Sequence, residues 1–193
     1  MAATPSTMLK LGTQMPEFSL PDTDGKPVAG ADLLGGPGTL VAFICNHCPF
    51  VIHVREEMVR LIKEYQQKGI KAVAISANDA QTHPDDGPKK MAEIARDYGF
   101  SFPYLYDKTQ ETAKAFQAAC TPDFFLFDGD GKLFYRGQMD DSRPGNDRPV
   151  NGADLRRALD ALLAGKPAPE PQKPSMGCNI KWRSGNEPAY FVV

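Results

Sequence analysis

Two short stretches of the chain are apolar at almost every position. Residues 39–44 read Thr-Leu-Val-Ala-Phe-Ile, and residues 124–127 read Phe-Phe-Leu-Phe. A strand with one wet face alternates, so an unbroken run of this kind predicts a strand buried on both faces. Residues 70–76 predict another. Between the first and this one the period changes. Val51, Val54, Met58, Leu61, Ile62 and Tyr65 recur at helical spacing, with Arg55, Glu56, Glu57, Lys63 and Glu64 on the other side and Gly69 as the stop. The same reasoning predicts helices over 89–98, stopped by Gly99, over 109–118, and over 153–164, where Leu155, Leu159 and Leu162 or Leu163 share a side.

Turn signals divide the rest. Residues 12–38 are rich in Gly, Pro and Asp, and the run from Pro21 to Lys26 predicts a turn between short extended pieces, a small hairpin laid on the main body. Asp128-Gly129-Asp130-Gly131 turns strand 124–127 back into a last strand over 132–136. Residues 78–88 form a polar loop. Residues 165–174 carry four prolines and predict an extended strap. In the tail beyond, Ile180, Trp182, Tyr190 and Phe191 predict packing against the domain. No internal repeat is visible.

The order βαβα, helix, hairpin, helix predicts an α/β fold: a mixed central β-sheet with helices on both faces. The expected divisions are an N-terminal extension over 1–11, a main domain over 12–165, and a Pro-rich strap with a packed tail over 166–193. The length fits one domain with additions.

A net charge of −2 leaves no electrostatic footprint for nucleic acid or an anionic membrane. The longest apolar runs fall far short of a bilayer span. The first ten residues show no apolar core behind a basic flank, which makes the expected compartment a reducing cytoplasm. Four cysteines are too few for a disulfide-stapled scaffold of this length. Their explanation lies in chemistry or in ordinary burial.

Two of them, Cys45 and Cys48, are separated by two residues and fall where the buried strand gives way to the helix. With a helix starting near Asn46, a thiolate on Cys45 faces unpaired N–H groups and the positive end of the helix dipole, which lowers its pKa. Pro49 then falls among the N–H groups that have no helical partner and forfeits no bond. The expected mechanism has an exposed Cys45 attack and a more buried Cys48 resolve. His47, in the loop before Cys48, would stabilise the thiolate if partly protonated and make the disulfide a better oxidant. The competing explanations are buried inert thiols and half of a zinc site. Zinc wants a second close Cys/His pair, and His53, His83, Cys120 and Cys178 stand singly.

Gly12-x-x-x-Pro16-x-Phe18-x-Leu20-x-Asp22-x-x-Gly25, the strand and Cys45-x-x-Cys48 resemble the alkyl hydroperoxide reductase/thiol-specific antioxidant (AhpC/TSA) branch of the thioredoxin-like superfamily. The runs from Cys45 to Val51, from Cys120 to Phe125 and from Gly177 to Trp182 are similar to its peroxiredoxin-like subgroup. The resemblance implies a thioredoxin-like fold and maps Thr121-Pro122 onto its cis-proline loop, where the backbone meets an extended substrate. Two departures from the pattern matter. Ala42 stands where a peroxidatic site carries Thr or Ser, with Gly38 in place of the proline before it. Thr39 stands where thioredoxins carry an acid that serves the second cysteine. Glu56 and Glu57 read as a solvated helix face, so they do not replace it.

The expected function is thiol–disulfide exchange by Cys45 and Cys48, assisted by His47, with Thr121 and Pro122 binding substrate. No metal or cofactor is expected. The expected partners are protein or small-molecule disulfides and a thioredoxin-type reductant. Alternatives are a weak thiol peroxidase with Cys45 peroxidatic and Cys48, Cys120 or Cys178 resolving, a copper or zinc carrier using Cys45, His47 and Cys48, and a regulatory binding protein. Cys120 and Cys178 are accessory thiols or buried hydrophobes. Arg136 and the run Asp140-Asp141-Ser142-Arg143 read as a surface salt network.

Overall fold

The computed structural model describes residues 3–191. In chain order its elements begin with β1 (Ala3–Pro5), β2 (Ser19–Pro21), β3 (Pro27–Ala29), β4 (Gly38–Phe43), α1 (Pro49–Gln66) and β5 (Lys71–Ser76). Then follow α2 (Pro88–Asp97), β6 (Tyr104–Tyr106), α3 (Glu111–Ala115), β7 (Cys120–Thr121) and β8 (Asp123–Asp128). The last are β9 (Leu133–Gly137), α4 (Ala153–Leu163) and β10 (Met176–Asn179).

Five strands form the central sheet in the order β6-β5-β4-β8-β9. Strands β4, β5 and β6 run parallel, and β8 runs antiparallel to both β4 and β9. The unbroken apolar runs divide between the two faces as expected. Leu40, Ala42, Phe124 and Leu126 enter the core under α1, α2 and α4, whereas Val41, Phe43, Phe125 and Phe127 enter the core under α3 and the β2/β3 hairpin. Phe116, just past α3, locks the second core. Its ring meets those of Phe43, Phe125 and Phe127 edge-on at 5.3–5.8 Å, geometry that adds to the burial energy of the ring.

Several expectations shift. The helix over 109–118 contracts to α3, bounded by Gln110 and Gln117 at φ +67 and +52. Buried Asp107 holds that short turn by accepting the N–H groups of Gln110 and Ala113, both at 2.9 Å. Arg55 and Glu57 are buried, not on a wet helix face. Arg55 donates to the Asn46 carbonyl at 2.7 Å and lies over the Tyr98 ring. Glu57 is paired with Arg60 and with Arg156 of α4, because α4 packs along that flank of α1. The surface salt network expected around Arg136 and Asp140 is instead a loop clasp. Asp140, 2% exposed, accepts the N–H groups of Asn151 and Gly152 at the entry to α4, and Arg136 donates to the Leu9 carbonyl and to Gln172.

Pairing also joins the two ends of the chain. A second sheet runs β1-β10-β7, so the tail strand is inserted between the N-terminal extension and the segment before β8. The strap leading to it crosses the end of β9, where Gln138 donates to the Lys173 carbonyl. Among the described residues no helix is long and apolar enough to cross a membrane.

That crossing depends on Gly137. Its φ is +128°, and a Cβ there would lie 2.0 Å from the Lys173 carbonyl oxygen. Gly137→Ala combines overpacking with backbone strain and is expected to destabilise the fold by about 3 kcal/mol or more. Urea denaturation measures it; an unchanged midpoint would show that the strap is not held there.

Candidate active site

Five residues, 44–48, link β4 to α1. The helix begins at Pro49, not near Asn46, with Cys48 as its N-cap in extended conformation. Proline at the first helical position is pre-set in φ and needs no N–H there, which fixes the start later than the cysteine spacing alone implied. The residue at the helix N-terminus is therefore Cys48, and Cys45 stands before it in the loop. The Thr121–Pro122 peptide is cis, and Thr121 meets both sulfurs. Its Oγ1 lies 3.3 Å from Cys45 Sγ, and its carbonyl oxygen accepts the Cys48 thiol at 3.2 Å. The expectation of an exposed Cys45 is overturned: Cys45 and Cys48 are 1% and 0% exposed, packed in one core with Cys178 of β10.

The loop's shape is set by Asp86, an acid with no exposed surface. One carboxylate oxygen accepts the N–H groups of Asn46 and His47 at 2.7 and 3.3 Å; the other meets His47 Nδ1 at 2.6 Å and accepts Asn78 Nδ2 at 2.8 Å. Charge-assisted bonds of this kind are among the stronger ones. Asn46 is held on every side. Its Nδ2 donates to the Asp85 carbonyl, its Oδ1 accepts Tyr104 Oη, and its carbonyl accepts Arg55. Neither Asp86 nor the role of Asn46 was anticipated; a run of acids in a polar loop gives no sign of which one turns inward.

His47 also differs from expectation. Its ring is bound to Asp86 and stacked on His83 at 5.3 Å, so any positive charge it carries is offset by the carboxylate. At Cys45 the net local influence is of the opposite sign. The thiol is pushed up, first by the hydrogen bond it gives Cys48, then by burial and by the Asp86 charge. Cys48 is held far down, to about 2, by donors from the Cys178 and Cys45 thiols, with the N–H groups of Val51 and Cys178 adding to them. Hydrogen bonding thus favours charge on Cys48, and burial with the Asp86 charge disfavours it on Cys45. This reverses the order expected from placing Cys45 at the helix dipole.

Donor atoms of Cys45, His47 and Asp86 lie within 4.8 Å of one another. The expected metal-carrier set was Cys45, His47 and Cys48. Cys48 is not part of this cluster, and the His47 and Asp86 atoms are already joined by a hydrogen bond.

Asp123, directly after Pro122, is fully buried, and neither carboxyl oxygen finds a well-formed hydrogen bond. Burial raises its pKa well above the usual carboxylate range, which favours its protonated form. Cys120 is likewise pushed up by burial. Its side chain falls on the opposite side of β7 from Thr121, since neighbouring strand residues alternate. The predicted accessory thiols therefore separate: Cys178 joins the site and Cys120 faces away.

Two outcomes follow. In a Cys48→Ser background, Asp86→Asn removes a negative charge beside Cys45, so the pH midpoint for Cys45 alkylation by iodoacetamide is expected to fall; a rise would contradict the electrostatic assignment. For Asp123 the folded pKa lies above the unfolded value of ~3.9, so ionisation of the unfolded chain costs stability as pH rises past that value. Asp123→Asn is expected to gain stability over the native sequence from pH 4 to pH 7 in urea melts. A difference that does not change with pH would show that Asp123 ionises in the folded state.

Comparison with known proteins gives this geometry its context. The AhpC/TSA family matches residues 11–136, more than half of the chain. Thiol-disulfide oxidoreductase ResA of Bacillus thuringiensis (strain Al Hakam) is 26% identical over 125 residues, 65% of this chain and 68% of that protein. The crystal structure of an uncharacterized conserved protein from Geobacillus kaustophilus is 55% identical with a TM-score of 0.92, covering 95% of this chain and 97% of that one. In fold alone, the solution structure of a putative thioredoxin from Neisseria meningitidis superposes with a TM-score of 0.61 at 24% identity, over 79% of this chain and 91% of that one. The fold is thioredoxin-like, and the chain belongs to the AhpC/TSA family.

Proposed function

We infer that this chain is a thiol–disulfide oxidoreductase whose working couple is Cys45 and Cys48. The observation that carries the reading is their shared anchorage on Thr121, which holds both sulfurs beside the start of α1 in one buried cluster. Family membership and the relative named thiol-disulfide oxidoreductase support it.

In the proposed cycle Cys45 gives its proton to Cys48 and attacks a substrate disulfide as the thiolate, and one substrate sulfur leaves with that proton as a thiol. The Cys48 thiolate then attacks Cys45 Sγ and releases the second substrate thiol, leaving Cys45–Cys48 oxidised. The held-down pKa of Cys48 suits the resolving role, since it needs no base at that step. Asp86 positions the loop between the sulfurs, and His47 completes that hold. Protein or small-molecule disulfides are the substrates of this reading, and a thioredoxin-type reductant in a reducing cytoplasm returns the couple to the dithiol. Pro122, next to Thr121, and Phe50 of α1 line a small recess whose other side carries the polar Gln138, Asp140, Ser142 and Arg143; neither cysteine is part of its lining.

A second reading rests on one contact. Ala42 points into the core and offers no hydroxyl, but Thr121 Oγ1 stands 3.3 Å from Cys45 and would serve a weak thiol peroxidase and an antioxidant role. Turnover separates the two. Insulin reduction coupled to a thioredoxin-type reductant is expected to proceed in the native chain and to drop to background in Cys45→Ser, while Cys48→Ser accumulates a mixed disulfide on Cys45. Fast, saturable hydrogen peroxide turnover without disulfide reduction would overturn the preferred reading.

A further inference from the structure

Cys178 reaches the site by construction of the fold, not by chance proximity of a mobile tail. It lies in β10, the middle strand of the second sheet, paired with Ala3 of β1 on one side and Thr121 of β7 on the other. Thr121 is the residue that contacts both Cys45 and Cys48. Directly cross-strand residues project to the same face of an antiparallel pair, which directs Cys178 to the side where the redox pair sits. All three cysteines belong to one buried cluster.

The approach is closer than most side chains permit. A Cβ on Gly177 would lie 2.0 Å from the Thr121 carbonyl oxygen, so glycine at that position is what lets β10 close on β7. The tail is also tied to the redox loop. Lys181 N–H donates to Asn78 Oδ1 at 2.8 Å, and Asn78 Nδ2 donates to Asp86. Thr121, the edge expected to receive an extended substrate, is thus already occupied by this chain's own strand, and that strand brings a thiol.

We propose that Cys178 is a third redox thiol, seated by β10 against Cys48 so that the disulfide passes from Cys45–Cys48 to Cys48–Cys178. This rests on the dithiol reading above. In the step, Cys178 sulfur bonds to Cys48 Sγ as the Cys45–Cys48 bond breaks. Cys45 leaves with the electron pair and takes up the proton that Cys178 gave up. One disulfide and one thiol enter and leave, so no further oxidant is consumed. The placement fits: Cys48 lies in one buried cluster with Cys45 and Cys178, and Thr121, which meets the first two sulfurs, is the cross-strand partner of Cys178. The outcome returns Cys45 to the thiol form and fastens the tail strand to the start of α1.

Disulfide mapping after equilibration with glutathione disulfide tests this on the full chain. The native protein is expected to yield both Cys45–Cys48 and Cys48–Cys178 linked peptides, and Cys45→Ser to yield Cys48–Cys178 alone. Cys178→Ser should form Cys45–Cys48 fully, with loss of the alkylatable Cys45 that the oxidised native protein retains. Gly177→Ala, which displaces β10 while keeping all four thiols, should lose Cys48–Cys178 and keep Cys45–Cys48. If Cys45→Ser leaves Cys48 and Cys178 both alkylatable where the native chain forms Cys45–Cys48, the third-thiol proposal fails and the dithiol reading stands. If neither the native chain nor Cys178→Ser forms a Cys45–Cys48 disulfide, both fail.

Discussion

The shape of the redox loop depends on the burial of one carboxylate. Asp86 has no exposed surface, yet it accepts the N–H groups of Asn46 and His47, the Asn78 amide and a bond with the His47 ring. A buried charge is tolerated only when its lone pairs are met, and here three of the four groups that meet them belong to Asn46 and His47, the residues between Cys45 and Cys48. The requirement of the acid thereby becomes the geometry of the loop. Asn46 transmits the constraint to Arg55 and Tyr104, and Asn78 transmits it to the tail through Lys181. The loop, the helix start and the tail strand are parts of one polar network under an apolar cover.

Thr121 supplies the second fixed point. Its hydroxyl and carbonyl meet the two sulfurs separately, and its strand pairs with β10. This gives each cysteine a different environment at short range. Cys45 faces burial and a nearby negative charge; Cys48 faces donors from Cys178, Cys45 and the first turn of α1. Lowering one pKa and raising the other readies the pair for stepwise exchange, since the thiolate is the nucleophile and Cys48 supplies it at the resolving step. Access is the remaining constraint, since both sulfurs lie under β7 and β10.

Much of this fold was legible because strands buried on both faces leave an unmistakable apolar run. Residues 39–44 and 124–127 did so, and helical spacing in 51–65 located α1. The redox pair was legible from spacing. What escaped the pattern had physical causes. The polar side of α1 read as solvated because periodicity records composition, whereas the arrival of Arg156 from α4 is a tertiary event. The helix start slipped by three residues because Pro49 suits more than one position in a first turn. Asp86 could not be told from Asp79 or Asp85 in a loop where all three are polar. β10, four residues with a glycine at its second position, shows neither alternation nor β-branching, and its place is set by the gap beside Thr121.

On the dithiol reading, Cys45 and Cys48 form a reversible two-electron couple in this environment. A redox titration of Cys178→Ser in dithiothreitol or glutathione buffers, with both peptides quantified by alkylation, tests it most directly. One transition is expected in which the two thiols disappear together, with a slope of about 30 mV per tenfold change in ratio. Thiols that titrate independently, or that stay reduced across the whole range, would contradict it.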